Sequence, residues 1–498
     1  MDVVNDDVLL HVFRFLHVPD VVAIRQTCKR LSVLSRVRLL WQTIVQEQIV
    51  SRGLPFINTI ARPLSKMRQP ELEARARRAY RLSLAWSTLS STSSTSSLSQ
   101  SYSPSSNVFD IRFLPGHDGR RFMTVSGGIW FHVSIWEINS GEGGDSSESG
   151  GGQAARKLVE WGPKGLVISA LVLNDVEGTE ATMAVSTNRD ECVSFLLCLQ
   201  SSEISCLRAA SHQPMLLHGD LLVTSNDFST TVIWNWKTGA HVTLQQPADD
   251  AGLWHDRCVQ VLLTHQSVLV VRARSIHLFP LPSFLVASPA PISGVEPIIS
   301  HSFGWINSIH VQVSVCGEQS SDDEHESGGG RKGDWPALTI LCREEGADFW
   351  SAQAHQIQMY VLEPNPAFVS ESTSTDSSTS STSHTESPAA NIPYLFPPLL
   401  TARASSKKGY SRCSQVILGQ RGTAVWIQPR ERSGMGLVGM AGGMTMGDGD
   451  GMGDDVAQVK GRPLWTNGKN DWTSVDYDEV NGRIALGTSG GRVVVMGI

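Results

Sequence analysis

Leu221-Leu222-Val223-Thr224-Ser225-Asn226-Asp227, and shortly after it Thr231-Val232-Ile233-Trp234-Asn235, form the stretch whose reading decides the fold. Apolar and polar residues alternate with a period of two, β-branched side chains dominate, and Asn and Asp interrupt the run where a tight turn belongs. The pattern returns upstream, where Arg121-Phe122-Met123-Thr124-Val125-Ser126 precedes Val133-Ser134-Ile135-Trp136-Glu137. It returns again at the end, where Arg483-Ile484-Ala485-Leu486-Gly487-Thr488 precedes Arg492-Val493-Val494-Val495. One unit recurs: a strand ending in a small hydroxyl residue, a turn, and a strand carrying a bulky apolar pair. Asn481-Gly482, between two alternating runs, is the strongest hairpin signal in the chain, and Gly219-Asp220 and Gly490-Gly491 do similar work.

This recurrence resembles a degenerate WD-repeat β-propeller. Trp136-Glu137 and Trp234-Asn235 stand where that family has Trp-Asp, and Trp426 keeps the tryptophan before Ile427. The Gly-His signature is missing at the expected offsets, since Gly116-His117 belongs to a hairpin turn. The propeller is expected over residues 107–498, with unstructured inserts at 141–153, 317–333, 366–389 and 431–455. What remains gives about 45 residues per blade for seven blades and about 39 for eight, against a repeat of roughly 40–45. Seven blades fit best, centred near 125, 185, 225, 270, 340, 420 and 485, with six and eight as alternatives. The last unit is one strand short. A strand from residues 80–113 is expected to complete it, because an open ring would leave two bare sheet edges.

A different texture precedes the propeller. In Asn5-Asp6-Asp7-Val8-Leu9-Leu10-His11-Val12-Phe13-Arg14-Phe15-Leu16, Val8, Leu9, Val12, Phe13 and Leu16 fall on one helical face. Asn5 suits an N-cap, Asp6 and Asp7 suit the positive helix end, and Pro19-Asp20 ends this helix and begins another. Leu72, Ala79, Leu82 and Trp86 mark the apolar face of a later helix that starts near Pro70, with Arg75, Arg77, Arg78 and Arg81 around it. That basic face is read as solvated, or else as a contact for an acidic partner. Residues 51–86 are therefore read as connecting helices and the Ser/Thr-rich residues 87–106 as a linker.

Residues 3–50 resemble an F-box, the helical module that docks on the Skp-type adaptor of cullin ubiquitin ligases. The family's opening Leu-Pro falls on Val4-Asn5, its acidic residue on Asp7 and its leucines on Val8 and Leu9. Its Ile-Phe falls on Val12-Phe13, the next Leu on Leu16, Asp-Leu on Asp20-Val21, Cys-Lys on Cys28-Lys29 and Leu-Trp on Leu40-Trp41. Asn5 replaces proline, and Leu31 stands where tryptophan is common. The resemblance implies an α+β multidomain chain, a small all-α F-box (residues 1–50) followed by an all-β propeller. It also implies adaptor docking through Val4, Val8, Leu9, Val12, Phe13, Leu16, Leu40 and Trp41. Docking requires the opening helices to leave an apolar surface bare.

Composition narrows the function classes. Net charge is −7 over 498 residues; residues 1–90 hold 14 Lys+Arg against 7 Asp+Glu, so they carry +7 and the remainder carries −14. This asymmetry suits protein partners of opposite sign better than nucleic acid. The eight cysteines are scattered without a C-x-x-C, which reads as a reduced cytosolic or nuclear protein. No apolar run is long enough to span a bilayer, and the first residues lack the basic start of a signal peptide.

The remaining motifs read blandly. Gly487-Thr488-Ser489-Gly490-Gly491 matches G-x-S-x-G but lies between two strands, so it is a hairpin turn rather than a nucleophile elbow. The Met-Gly tract Met435 to Met452 lacks Cys and His and reads as an insert. Ser320, Ser321, Ser103 and Ser387 sit in sequences that kinases accept. Trp254, Trp305 and Trp472, near unit starts, are candidates for aromatic anchors. Arg189, Arg257, Arg272, Arg274, Arg412 and Arg421 are candidates for reading a phosphorylated target. No metal cluster, cofactor loop or acid–base pair is visible, so neither cofactor nor catalysis is expected. The expected role is a substrate receptor of an SCF-type ligase, joined to adaptor and cullin and holding an unknown target. A non-ligase scaffold is the alternative, and an enzyme with a site in the propeller channel is a distant third.

Overall fold

Each alternating run becomes a strand and the turn residues fall between them. The computed structural model describes residues 4–52, 54–56, 64–88, 99–102, 106–138, 155–162, 165, 167–188, 192–200, 203–226, 230–245, 256–281, 292–304, 306–314, 335–344, 355–368, 392–406, 413–429, 434–440, 456–459 and 461–497. Helices come first: α1 (Asp6–Arg14), α2 (Val18–Ile24), α3 (Lys29–Leu34) and α4 (Arg38–Ile44), which runs on as a π-helical turn over Val45–Val50. A 3-10 turn over Leu64–Lys66 leads to α5 (Gln69–Thr88).

Strand β1 (Ser99–Tyr102) comes next. Blade one is β2 (Asn107–Phe113), β3 (Arg121–Gly127), β4 (Phe131–Ile138) and β5 (Ala155–Trp161). Blade two is β6 (Val167–Leu173), β7 (Met183–Asn188), β8 (Cys192–Gln200) and β9 (Glu203–Ser211). Blade three is β10 (Gln213–His218), β11 (Leu221–Ser225), β12 (Thr231–Asn235) and β13 (His241–Leu244). Blade four is β14 (Cys258–Thr264), β15 (Ser267–Arg272), β16 (Ser275–Pro280) and, after β17 (Ile292–Val295), β18 (Ile299–Ser302). Blade five is β19 (Ile306–Val313), β20 (Leu338–Glu344), β21 (His355–Leu362) and β22 (Leu399–Ser406). Blade six is β23 (Val416–Leu418), β24 (Ala424–Pro429), β25 (Met435–Met440) and, after β26 (Ala457–Gln458), β27 (Arg462–Asn467). Blade seven is β28 (Trp472–Asp478), β29 (Arg483–Thr488), β30 (Arg492–Gly497) and β1.

The count is seven, and the last blade is completed from upstream. Strand β1 pairs antiparallel with β30, Ser99 opposite Val495 and Tyr102 opposite Arg492, so segments far apart in sequence close the ring. Strands β17 and β26 each reach back and pair parallel with the outer edge of the preceding blade, on β13 and β22. The core lies between neighbouring sheets. Val108, Ile111, Phe122 and Trp136 of blade one, for example, meet Ala485, Val493 and Val495 of blade seven. Trp136 also donates its Nε1–H to Thr124 Oγ1 at 2.9 Å, tying the third strand of its blade to the second.

Three readings need correction. Met435–Met440 is strand β25, with every residue buried, and not part of an insert. Its glycines hid it: a Cβ at Gly439 would lie 2.8 Å from Leu464 Cδ1 and 2.9 Å from Trp86 Cζ3, so the packing demands the residue that weakens the strand signal. Trp426 consequently lies on the second strand of its blade, not the third, where the Trp-Asp pair falls. The stretch 87–106 includes the end of α5 and β1, because backbone pairing to a sheet edge needs no apolar side chains. The expected inserts 141–153 and 317–333 lie outside the described residues, as does 366–389 beyond Phe368.

Because strands alternate in direction within a blade, the turns after first and third strands share one face of the ring. The turns after second strands and the blade-to-blade connections share the other. Helix α5 sits on the first of these faces. Arg78 donates Nη2 to Asn481 O at 2.9 Å in the β28–β29 turn, and Trp86 packs edge-on to Tyr477 with ring centres 5.7 Å apart.

Candidate functional site

The opening helices build their own core and leave a second apolar surface uncovered. Asn5 occupies the N-cap of α1 with extended backbone, but its side chain makes no capping bond; Arg30 holds this end instead, through Asp6 Oδ1 at 2.6 Å and Val4 O. At the other end the buried Gln48 amide donates to Arg14 O at 2.6 Å and Leu16 O at 2.8 Å, satisfying carbonyls that a helix C-terminus leaves open. Cys28 caps α3 by accepting the Leu31 N–H at 3.5 Å.

The core of the module is Phe13, Val18, Val21, Leu34, Leu40, Trp41 and Ile44, sealed by Leu72, Ala76 and Ala79 of α5. Trp41 is fully buried, donates Nε1–H to Ser35 O at 2.8 Å and lies beneath the Arg25 guanidinium. Arg25 in turn grips Glu73 of α5 through both carboxylate oxygens, at 2.6 and 2.8 Å. Of the expected docking residues, Phe13, Leu40 and Trp41 therefore belong to the interior, and Leu9 and Leu16 are half-buried against it. Val4, Val8 and Val12 are exposed. They continue into a residue that the sequence reading passed over: Phe15, 74% exposed. Val8, Val12 and Phe15 follow the helical i, i+4, i+7 spacing, on the side of α1 away from Phe13. Leu39 at 67% and Val33 at 69% add exposed apolar surface on α4 and α3. A helix apolar on two sides carries more hydrophobic surface than its own fold uses. The missed signal was local: Phe15 lies off the face set by Phe13, yet it is large and aromatic.

On the face of the ring away from α5, blade one exposes Ile129 (87%) and Trp130 in the β3–β4 turn, with Phe109 beside them stacked on Phe131 at 5.0 Å. Val167, at the start of blade two, is exposed on the same face. Arg257, Arg272 and Arg274 gather on this face too, where Asp256 accepts the Arg274 N–H at 2.8 Å and the Ser275 hydroxyl at 2.8 Å. Arg421 lies on the opposite face, its backbone N–H on Glu479, while Arg189 and Arg412 lie outside the described residues. Trp472 is core, and Trp254 and Trp305 lie outside the described residues.

Shifted titratable groups occur on the inner strands. Burial pushes Asp476 up to about 6, while burial and the nearby Arg112 push His310 down to about 4. Arg112 is held above its ordinary range by Asp110, 3.2 Å away. Asp476 of β28 accepts the Phe113 N–H of β2 at 2.6 Å, and His310 of β19 accepts the Leu418 N–H of β23 at 3.3 Å. Both bonds join adjacent blades.

Among the described residues no group of His, Cys, Asp and Glu is arranged to hold a metal, and no helix is long and apolar enough to cross a membrane. Comparison with known families matches residues 6–47 to the family described as F-box-like. No curated protein matches the chain. This polypeptide thus carries an F-box-like domain at residues 6–47, followed by a seven-bladed β-propeller.

Proposed function

We propose that this chain is the substrate-recognition subunit of an SCF-type cullin ubiquitin ligase. The F-box-like module docks on the Skp-type adaptor through Val4, Val8 and Val12, joined by Phe15 and Leu39, and thereby reaches the cullin. The observation that carries this reading is the second apolar stripe of α1, left bare inside the segment that matches the F-box-like family. The propeller holds the target on the face away from α5, where Phe109, Ile129 and Trp130 offer aromatic and aliphatic anchors. Such a subunit acts by raising the local concentration of a target lysine near the loaded ubiquitin carrier, without chemistry of its own. The setting would be cytosolic or nuclear, in keeping with Cys28, Cys198, Cys206, Cys258, Cys342 and Cys413 standing outside any disulfide.

Affinity capture of the full chain, compared with a Val8→Asp/Val12→Asp variant under proteasome inhibition, tests the assignment. Adaptor and cullin should co-purify with the natural chain and be lost from the variant, while candidate targets stay on both. Recovery of targets without adaptor from the natural chain would instead identify a non-ligase scaffold, the reading that Asn5 and Leu31 favour.

A further inference from the structure

We propose that the arginines gathered where α5 meets blades one and seven form a docking site for an acidic protein segment, distinct from the stripe on α1. Three elements bring them together. Arg78 and Arg81 lie one turn apart on α5, Arg120 lies in the β2–β3 turn and Arg483 opens β29. Two of the four have structural work. Arg78 donates to Asn481 O at 2.9 Å and Arg483 donates to Gly119 O at 2.5 Å, stitching helix, turn and strand together.

The other two are surplus to the fold. Arg81 and Arg120 are exposed; among the described residues Arg81 Nε donates a long hydrogen bond, 3.4 Å, to Arg77 O on its own helix, and the Arg120 guanidinium makes none. Asp118 and Asp478 are the carboxylates felt here, and Asp478 already accepts the Asn481 N–H at 3.0 Å and the Asn481 amide at 2.8 Å. Arg78 and Arg483 are both held below the usual arginine range, first by burial. Arg81 and Arg120 add to this at Arg78, and Arg78 and Arg120 at Arg483, against the opposite pull of the two aspartates. Like charges are thus held close where helix, turn and strand meet. Arg121 and Arg156, both on Glu137 at 3.0 and 3.4 Å, carry the positive surface further along blade one.

The occupant follows from charge and size. Beyond residue 90 the chain carries −14, so this corner is basic on an acidic body. A long phosphate backbone would be repelled by the rest of the surface, whereas a short run of Asp, Glu or phosphoserine fits the corner alone. The site lies on the side of the ring that bears α5, away from Ile129 and Trp130, so it adds a partner beyond the one proposed for the far face.

Fluorescence anisotropy with the full chain and a labelled oligo-glutamate peptide tests this, against an Arg81→Glu/Arg120→Glu variant and a milder Arg81→Gln/Arg120→Gln variant. The reversal should weaken binding about tenfold or more and the neutral variant less, with binding lost at high salt. Thermal midpoint and adaptor capture should stay as in the natural chain. Equal binding by all three proteins, or none by the natural chain, would overturn the proposal. An RNA oligonucleotide of equal charge that binds more tightly than the peptide would overturn it in favour of nucleic acid.

Discussion

Replacing Phe15 by alanine and, separately, Trp41 by alanine distinguishes a side chain that waits for a partner from one that builds the fold. The Phe15 ring is 74% exposed and meets His11 edge-on, with ring centres 5.2 Å apart. An aromatic side chain can bury on the order of 150–250 Å², so about 150 Å² of this one remains for a partner. At about 25 cal/mol per Å² the ceiling is about 4 kcal/mol, and incomplete burial and ordering costs bring a realistic loss nearer 2 kcal/mol, or about 30-fold in Kd. Trp41 is fully buried and bonded to Ser35, so its truncation should remove about 3–5 kcal/mol from the helical module itself. Calorimetric titration of adaptor, paired with melting curves, reads both effects. Phe15→Ala should weaken adaptor binding with an unchanged midpoint, whereas Trp41→Ala should lower the midpoint. An unchanged Kd for Phe15→Ala would refute the docking surface. A midpoint as low as that of Trp41→Ala would show that Phe15 is packed.

His277 gives the chain a pH dependence of known sign. Ser275 donates its one proton to Asp256, so His277 Nε2–H must donate to Ser275 Oγ at 2.8 Å, which leaves Nδ1 the site for a second proton among buried neighbours. Burial, and then the Arg272 charge, hold this histidine down at about 4 against an ordinary 6.5. The unfolded chain therefore takes up the proton first. Stability is fully present above about pH 6.5 and is lost as pH falls toward 4, by up to about 3 kcal/mol. A His277→Asn variant should show a flatter denaturant midpoint between pH 7 and 4.5, and identical slopes would reject the account. Asp476 works in the opposite sense, its raised value making stability fall as pH climbs from about 4 to about 6. Deleting Ser99–Tyr102 should cost the propeller about 2–4 kcal/mol through the lost pairing with β30; an unchanged melting curve would mean that β1 does not latch the ring.

Much of this architecture was legible because it is periodic. The hairpin glycines declared themselves: Gly219, Gly482 and Gly491 all adopt positive φ in the turns assigned to them. The strand pattern in Leu221–Asn235 carried through to β11 and β12 in register, Val223 opposite Ile233. Strand β25 was illegible because its packing requires glycine where a strand ordinarily shows β-branched residues. Strand β1 was illegible because a latch is held by backbone groups, which every residue carries. The docking surface was half legible. Periodicity finds the apolar face of α1, but a face says nothing about who covers it. Leu72, Ala76 and Ala79 arrive from α5, more than twenty residues past Trp41, and claim the Phe13 and Trp41 side for the chain itself.

That same helix decides how the two halves can act together. One apolar stripe runs along α5 and serves two cores: Leu72, Ala76 and Ala79 close the helical module, while Trp86 enters the cluster formed by Leu437, Trp472, Tyr477 and Ile484 between blades six and seven. Leu82, between them, lies over Gly482, where an added Cβ would run into its side chain, so the Asn-Gly turn is also the seat of the helix. A continuous helix cannot hinge at its middle without giving up backbone hydrogen bonds, and here both of its halves are also gripped by side chains. The bare stripe on α1 and the far face of the ring are therefore held at a fixed separation and angle. For a subunit proposed to hold a target near a ubiquitin carrier, that rigidity is the useful property. A flexible joint would spread the target over a large volume, whereas this one confines it to the region set by twenty residues of α5.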